Sequence, residues 1–342
     1  MATPTIPNGE EHFFPIIYEG NGGGQRVGKF APFTDSGTIA NSCIFDGSGH
    51  YLNKTFSGAG NRQTWTWSGW LKKTSMGGDR FDFFSGGTGS SDTTVLELQF
   101  QGDNIRITGY NTVYLKTNRT FKDSSKFYHI LVAFDSTQGT ATDRMKLYVD
   151  GDEITSFSTD NRSSISQNTD YGINQASSHT IGRYSGSANF YLNGYLAEVN
   201  FVDGTAHTPS TFGVTDTSSG RWIPKALTGI TYGTNGFRLQ FGSPSAIGDD
   251  TSGNNNDFSV NNLVASDLTT DSPTQNHAIL AVNGPNVSSS FSEGNLKVTF
   301  PTSSAMTGGL STLKMVSGKY YMEATVDSIS SAGLVLGIMG SD

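Results

Sequence analysis

The most constraining feature of the chain is its periodicity. Short runs alternate apolar and polar side chains between turns rich in Gly, Asn, Asp and Ser, and almost no stretch repeats at the helical interval. Successive side chains of a strand point to opposite faces, so alternation at period two marks a half-buried strand. In LELQF, Leu96, Leu98 and Phe100 share one face while Glu97 and Gln99 share the other. Met145, Leu147 and Val149 of RMKLYVDG, and Phe237, Leu239 and Phe241 of FRLQF, follow the same rule. HILVAF (129–134) is apolar on both faces and suits a central strand covered on both sides, or one beneath a partner chain. Asp-Gly after an apolar run, in VDGDE and FVDGTA, marks a tight turn because glycine accepts positive φ. A chain patterned this way is predicted to be all-β, a sandwich or barrel, with helix confined to short turns.

Composition narrows the partners. Charged residues make up 15% of the chain, yet 22 Phe, 13 Tyr and 4 Trp supply enough apolar area to offset chain entropy, which separates it from disordered sequences. A net charge of −8 argues against nucleic acid, whose binding draws on clustered Lys and Arg. Cys43 is the single cysteine, so no intramolecular disulfide forms. The first thirty residues lack the basic and apolar segments of a secretory signal, and no apolar run is long enough to span a membrane. Assembly into a particle released by lysis is one route outside a cell without such a signal.

The organisation reads as four regions: a Gly- and Pro-punctuated arm (1–40) carrying the apolar knot HFFPIIY, a strand-rich domain (41–272), a polar linker (273–290) and a second strand series (291–342). The arm reads either as a disordered tail or as a segment that orders on a partner. SCIFDGSGHYL (42–52), TWTWSGWLKK (64–73), FYHILVAFD (127–135) with MKLYVDG (145–151), and FYLNGYLAEVNFVDGTAHTPS (190–210) resemble, in order and spacing, the laminin G-like, concanavalin A-like jelly-roll family. SGKYYMEATV (317–326) and GLVLGIM (333–339) resemble the first strands of a SPRY domain, of which this chain carries only a part. The combination is similar to virion proteins of tailed bacteriophages, marine ones especially. That resemblance implies a virion location, an arm that anchors to other virion proteins, a trimer or other homo-oligomer, and a tail-fibre or tail-associated protein that binds host-surface glycan. A capsid decoration or head-fibre protein without ligand, and a polysaccharide-degrading enzyme, stay as alternatives.

Three tryptophans in TWTWSGWLKK pose the choice between core and sugar platform. Strand parity puts Trp65, Trp67 and Leu71 on one face, read as core, and Thr64, Thr66, Ser68 and Trp70 on the other. Trp70, with Tyr184 and Tyr195, is therefore a glycan-binding candidate. Retaining glycosidases need two carboxyl groups about 5–5.5 Å apart; the nearest segment, AEVNFVD, offers Glu198 and Asp203, which face opposite sides of a regular strand. The chain is thus read as a non-enzyme. GDDTSGNNND (248–257) supplies Asp249, Asp250, Asn254, Asn256 and Asp257, hard oxygen donors that suit calcium and equally suit a plain polar turn. The six histidines show no zinc spacing.

Overall fold

The structure is a computed structural model and describes residues 37–78, 80–282, 289–301, 309–313, 322–328 and 337. The arm, apart from residues 37–40, lies outside these residues, as does most of the SPRY-like SGKYYMEATV and GLVLGIM; their described residues, 322–326 and 337, have no regular structure. The frame begins with β1 (Ser42–Asp46), β2 (Tyr51–Thr55), β3 (Thr64–Lys73), β4 (Arg80–Gly86), β5 (Leu96–Gln101), β6 (Asn104–Thr108) and β7 (Val113–Thr117). It continues with β8 (Tyr128–Asp135), β9 (Met145–Val149), β10 (Asp152–Glu153), β11 (Phe157–Asp160), β12 (Ser178–Ile181) and β13 (Asn193–Asp203).

Two antiparallel sheets pack face to face. The first runs β10, β9, β8, β3, β13, β1 and Leu268–Thr269, with Phe237–Leu239 also paired to β13. The second runs β11, β7, β6, β5, β4, β12, β2 and Ser259–Asn261. This is an all-β jelly-roll sandwich. The inward residues are those the alternation marked: Leu96, Leu98 and Phe100 of β5 meet Met145, Leu147 and Val149 of β9 in one core that also takes Phe237, Leu239 and Phe241. Asp150 and Gly151, at φ 54° and 87°, close the β9–β10 hairpin in the left-handed pair of conformations that matches strand twist.

Trp65 and Trp67 are core residues. Trp65 stacks on Phe134 at 5.1 Å between ring centroids, and Trp67 lies 4.9 Å from Phe83. Gly69 makes room for the second ring, since a Cβ there would come within 2.8 Å of it. β8 has the doubly covered position that its sequence predicted: Ile130, Val132 and Phe134 face the core, while His129, Leu131 and Ala133 lie beneath an outer layer.

That outer layer covers the first sheet. Phe212 and Tyr232 close over Leu131, Ala133 and Val202. Ile39 and Ile279 close over Ile44, Trp70, Phe127 and Tyr195. Residues 271–279, which run from the end of the predicted domain into the predicted linker, form a strap bound to the sandwich. Lys72, fully buried on β3, holds Asp271 at 2.8 Å, the Asn276 carbonyl oxygen at 2.9 Å and the His277 backbone carbonyl at 2.9 Å. Thr274 donates to the Ile39 carbonyl, so the strap also pins the segment preceding β1. The polar composition is that of a segment whose hydrogen bonds are made to the domain, not to water.

Candidate functional site

The covered first sheet corrects two of the glycan candidates. Trp70 is 4% exposed and packs 4.9 Å from the His129 ring, which lies in turn 5.9 Å from Trp222. Tyr195 is fully buried and its hydroxyl donates to the Gly294 carbonyl. Neither presents a ring face to a sugar. The strand parity was right, but the face opposite the core is itself packed. His129 belongs to this packing: the Trp222 indole N–H can only donate, so Nδ1 accepts it at 3.0 Å and Nε2 carries the proton toward Ser68 at 2.9 Å. Burial holds its pKa down to about 4.

Tyr184, the third candidate, stands at the rim of a different surface, the outer face of the second sheet. Register defines that face. Asn53, Thr180, Ser85, Glu97 and Thr108 lie opposite one another across β2, β12, β4, β5 and β6. Asp82, Gln99, Arg106 and Lys116 form a parallel row across β4, β5, β6 and β7. The segment 183–191 lies along one part of it, held where Ser185 N–H donates to Ser85 Oγ at 2.7 Å and Asp82 N–H to the Phe190 carbonyl at 2.9 Å.

The charges here are organised by Arg80. Its guanidinium pairs with Asp82 at 3.1 Å and with Glu97, and lies over the Phe190 ring at 3.8 Å with the Tyr184 ring at 5.2 Å. Burial pushes the Asp82 carboxyl up to about 7 even against Arg80. Burial also lowers Arg106, with the like charge of Arg80 adding to the effect. Arg183 stacks on Tyr51 at 3.8 Å, and Tyr51 lies 6.2 Å from Tyr191. Among the described residues, Nε of Arg106, Nε of Arg183 and the Gln99 carbonyl oxygen are buried without a hydrogen-bond partner. Gln99 and Arg106 are direct cross-strand neighbours, so an open acceptor and an open donor lie side by side. Half-buried tyrosines, cations fixed by stacking, and amide and guanidinium atoms without a partner on one sheet face suit a polyhydroxylated or anionic ligand. Arg80, Asp82, Arg106 and Arg183 were not singled out from sequence. The alternation of LELQF already placed Glu97 and Gln99 on one face, but only strand register brings the other residues beside them.

The calcium candidates do not converge. Asp250 accepts from the backbone N–H of Arg238, Ser252 and Asn256 and from the Ser252 hydroxyl, at 2.8–2.9 Å. Asp257 accepts from Asp250 N–H, while Asn254 and Asn256 turn their amide donors to the Gly236 carbonyl. Asp249 is exposed. Among the described residues no group of three or more His, Cys, Asp and Glu side chains could hold a metal ion. The loop is a turn pinned through Asp250, both of whose carboxylate oxygens accept hydrogen bonds from the protein. Chelation is expected to leave the melting temperature unchanged, whereas Asp250→Ala lowers stability by about 1–3 kcal/mol by removing a charged acceptor; a calcium-dependent rise in melting temperature would overturn this.

Glu198 also departs from the regular-strand reading. It sits at φ 47° in a bulge of β13 between Ala197 and Asn200, so the parity of Glu198 and Asp203 is broken. Glu198 is ion-paired with Arg238 at 2.5 Å. Asp203 accepts from Asn61 N–H, the Asn174 amide and Asn235 N–H, a network that ties three loops together.

Residues 46–210 match the laminin G family model described as the concanavalin A-like lectin/glucanases superfamily. The sandwich is a concanavalin A-like domain. Solved structures similar to the chain include a Bacteroides ovatus protein assigned to carbohydrate binding, 16% identical, with 68% of this chain and 60% of that one covered at a TM-score of 0.42. The chain therefore spans less than two thirds of that protein. A heptameric pentraxin from Limulus polyphemus is 16% identical over 50% of this chain and 78% of its own, at a TM-score of 0.37. A tailspike protein from an Escherichia coli O157:H7 bacteriophage is 18% identical over 52% of this chain and 27% of its own, at 0.35. No curated protein matches the chain. Among the described residues no helix is long and apolar enough to cross a membrane.

Proposed function

We propose that the concanavalin A-like domain is a non-catalytic glycan-recognition module of a bacteriophage virion, carried on a tail fibre or tail-associated protein and directed at host-surface polysaccharide. The observation that carries the binding reading is the outer face of the second sheet, where Tyr184 lies by Arg80, Tyr51 carries Arg183 beside Tyr191, and Arg106 and Gln99 keep atoms without a hydrogen-bond partner among the described residues. Stacking on the tyrosines and hydrogen bonds from the guanidinium groups supply the two interactions by which sugar rings are held. Asp82 and Glu97 are taken up by Arg80, which favours binding over hydrolysis.

The binding reading is tested by screening the chain on an array of bacterial surface polysaccharides, then titrating any hit against Tyr184→Ala and Arg106→Ala. Each substitution is expected to weaken binding about ten- to a hundred-fold, the worth of one charged hydrogen bond or stacked ring, with little change in melting temperature. Unchanged affinity in both variants would remove this face as the site. The virion reading is tested by immunogold labelling of intact particles with antibody to residues 41–272. Gold on tail appendages is expected; gold spread over the head would favour a decoration protein, and absence from purified particles would overturn the structural role.

A further inference from the structure

The contacts of Lys72 go beyond those of an ion pair. Its amine is fully buried, with the rings of Phe127 and Tyr195 each 5.5 Å away. Around it stand a carboxylate, Asp271 at 2.8 Å, and the side-chain carbonyl of an amide, Asn276 at 2.9 Å. The amide is oriented: its nitrogen donates to the Ser125 carbonyl, so its oxygen points to the lysine. Asp271 is held from its far side by the N–H of His277.

We infer that this triad is a self-catalysed cross-linking site, in which the Lys72 amine displaces ammonia from the Asn276 side chain and joins β3 to the strap by an isopeptide bond. Asp271 accepts a proton from the ammonium and leaves Nζ with a lone pair. Nζ attacks Cγ of Asn276, and Asp271 relays protons from Nζ to Nδ2 as the tetrahedral adduct collapses. The Nζ–Cγ bond forms and the Cγ–Nδ2 bond breaks. The two protons lost by Nζ leave on Nδ2 as ammonium, and Asp271 returns to its carboxylate. No oxidant or cofactor enters the balance. Burial drives the Lys72 pKa down, which favours the neutral nucleophile. Fixed proximity supplies the rest, through effective molarities of about 10⁵–10⁸ M for well-oriented groups.

The neighbouring lysine is an internal control. Lys73 is also fully buried and pairs with Asp103 at 3.0 Å, but its other acceptor is the backbone carbonyl of Gly102, and among the described residues no side-chain amide is hydrogen-bonded to it. It has a carboxylate partner and no electrophile.

The experiment is intact-mass spectrometry of the purified full chain under denaturing conditions, followed by peptide mapping. The mass is expected to be lower than the sequence mass by one ammonia, with a branched peptide joining the segments that contain Lys72 and Asn276. Asn276→Ala and Asp271→Ala are expected to restore the full mass calculated for each variant. A wild-type mass equal to that of the sequence would overturn the inference, whether or not either variant folds. Loss of water in place of ammonia, or ammonia lost from another residue in the peptide map, would also overturn it.

Discussion

Replacing Trp67 with alanine is expected to destabilise the domain by about 3–5 kcal/mol, the range for deleting a buried aromatic side chain and leaving its cavity. Trp67 is fully buried against Phe83 and Phe84, so the loss appears in equilibrium denaturation as a lower midpoint. Trp67→Phe costs less, because it keeps most of the ring volume and removes an indole N–H that has no hydrogen-bond partner among the described residues. Gly69→Ala costs about 1–3 kcal/mol by forcing a Cβ toward the same ring. A Trp67→Ala protein of unchanged stability and weakened glycan binding would reverse the assignment of this residue to the core.

Acid is expected to unfold the domain through two buried histidines. Burial holds His129 and His179 at about 4, against 6.5 for the free side chain. Between those values the unfolded chain carries more protons than the folded one, so stability falls as pH falls from about 6.5 to about 4. Each histidine accounts for about 3 kcal/mol over that window. Asp82 acts with the opposite sign: its carboxyl is pushed from 3.8 up to about 7, so its contribution declines as pH rises through that interval. Denaturant titrations at pH 7, 5 and 4 measure the sum. His179→Gln keeps an acceptor for the Asn174 N–H that Nε2 holds at 2.8 Å, and is expected to remove about half of the histidine-linked acid sensitivity. An unaltered pH profile in that variant would show that His179 does not stay neutral in the fold.

The strand frame was legible because each strand carries its own alternation, and the turns carry Asp-Gly where positive φ is needed. The choice between core and platform was legible for Trp65 and Trp67 from parity together with the family resemblance, which implies an inner strand there. Trp70 and Tyr195 were not legible, because the side chains that cover them arrive from Ile39, Trp222 and Ile279, far away in sequence. The strap reads as a linker for a related reason. Its polar residues are satisfied by Lys72 and by backbone groups, and a polar residue satisfied by protein looks the same in sequence as one satisfied by water. Glu198 and Asp203 were misplaced by a single bulge, which shifts the phase of every later residue in β13. Tyr184 was found from sequence, but its companions Arg80, Arg106 and Arg183 come from separate elements, and only the order of strands in the second sheet gathers them.

The strap gives the domain a direction. The chain approaches through Ile39 and departs past Thr274, two points joined by a hydrogen bond over the outer face of the first sheet. The row of Asp82, Gln99, Arg106 and Lys116 lies on the outer face of the second, on the far side of the sandwich. Ile39 and Thr274, the two ends of the sandwich, therefore share one side of it, and the row of polar residues has the other side to itself.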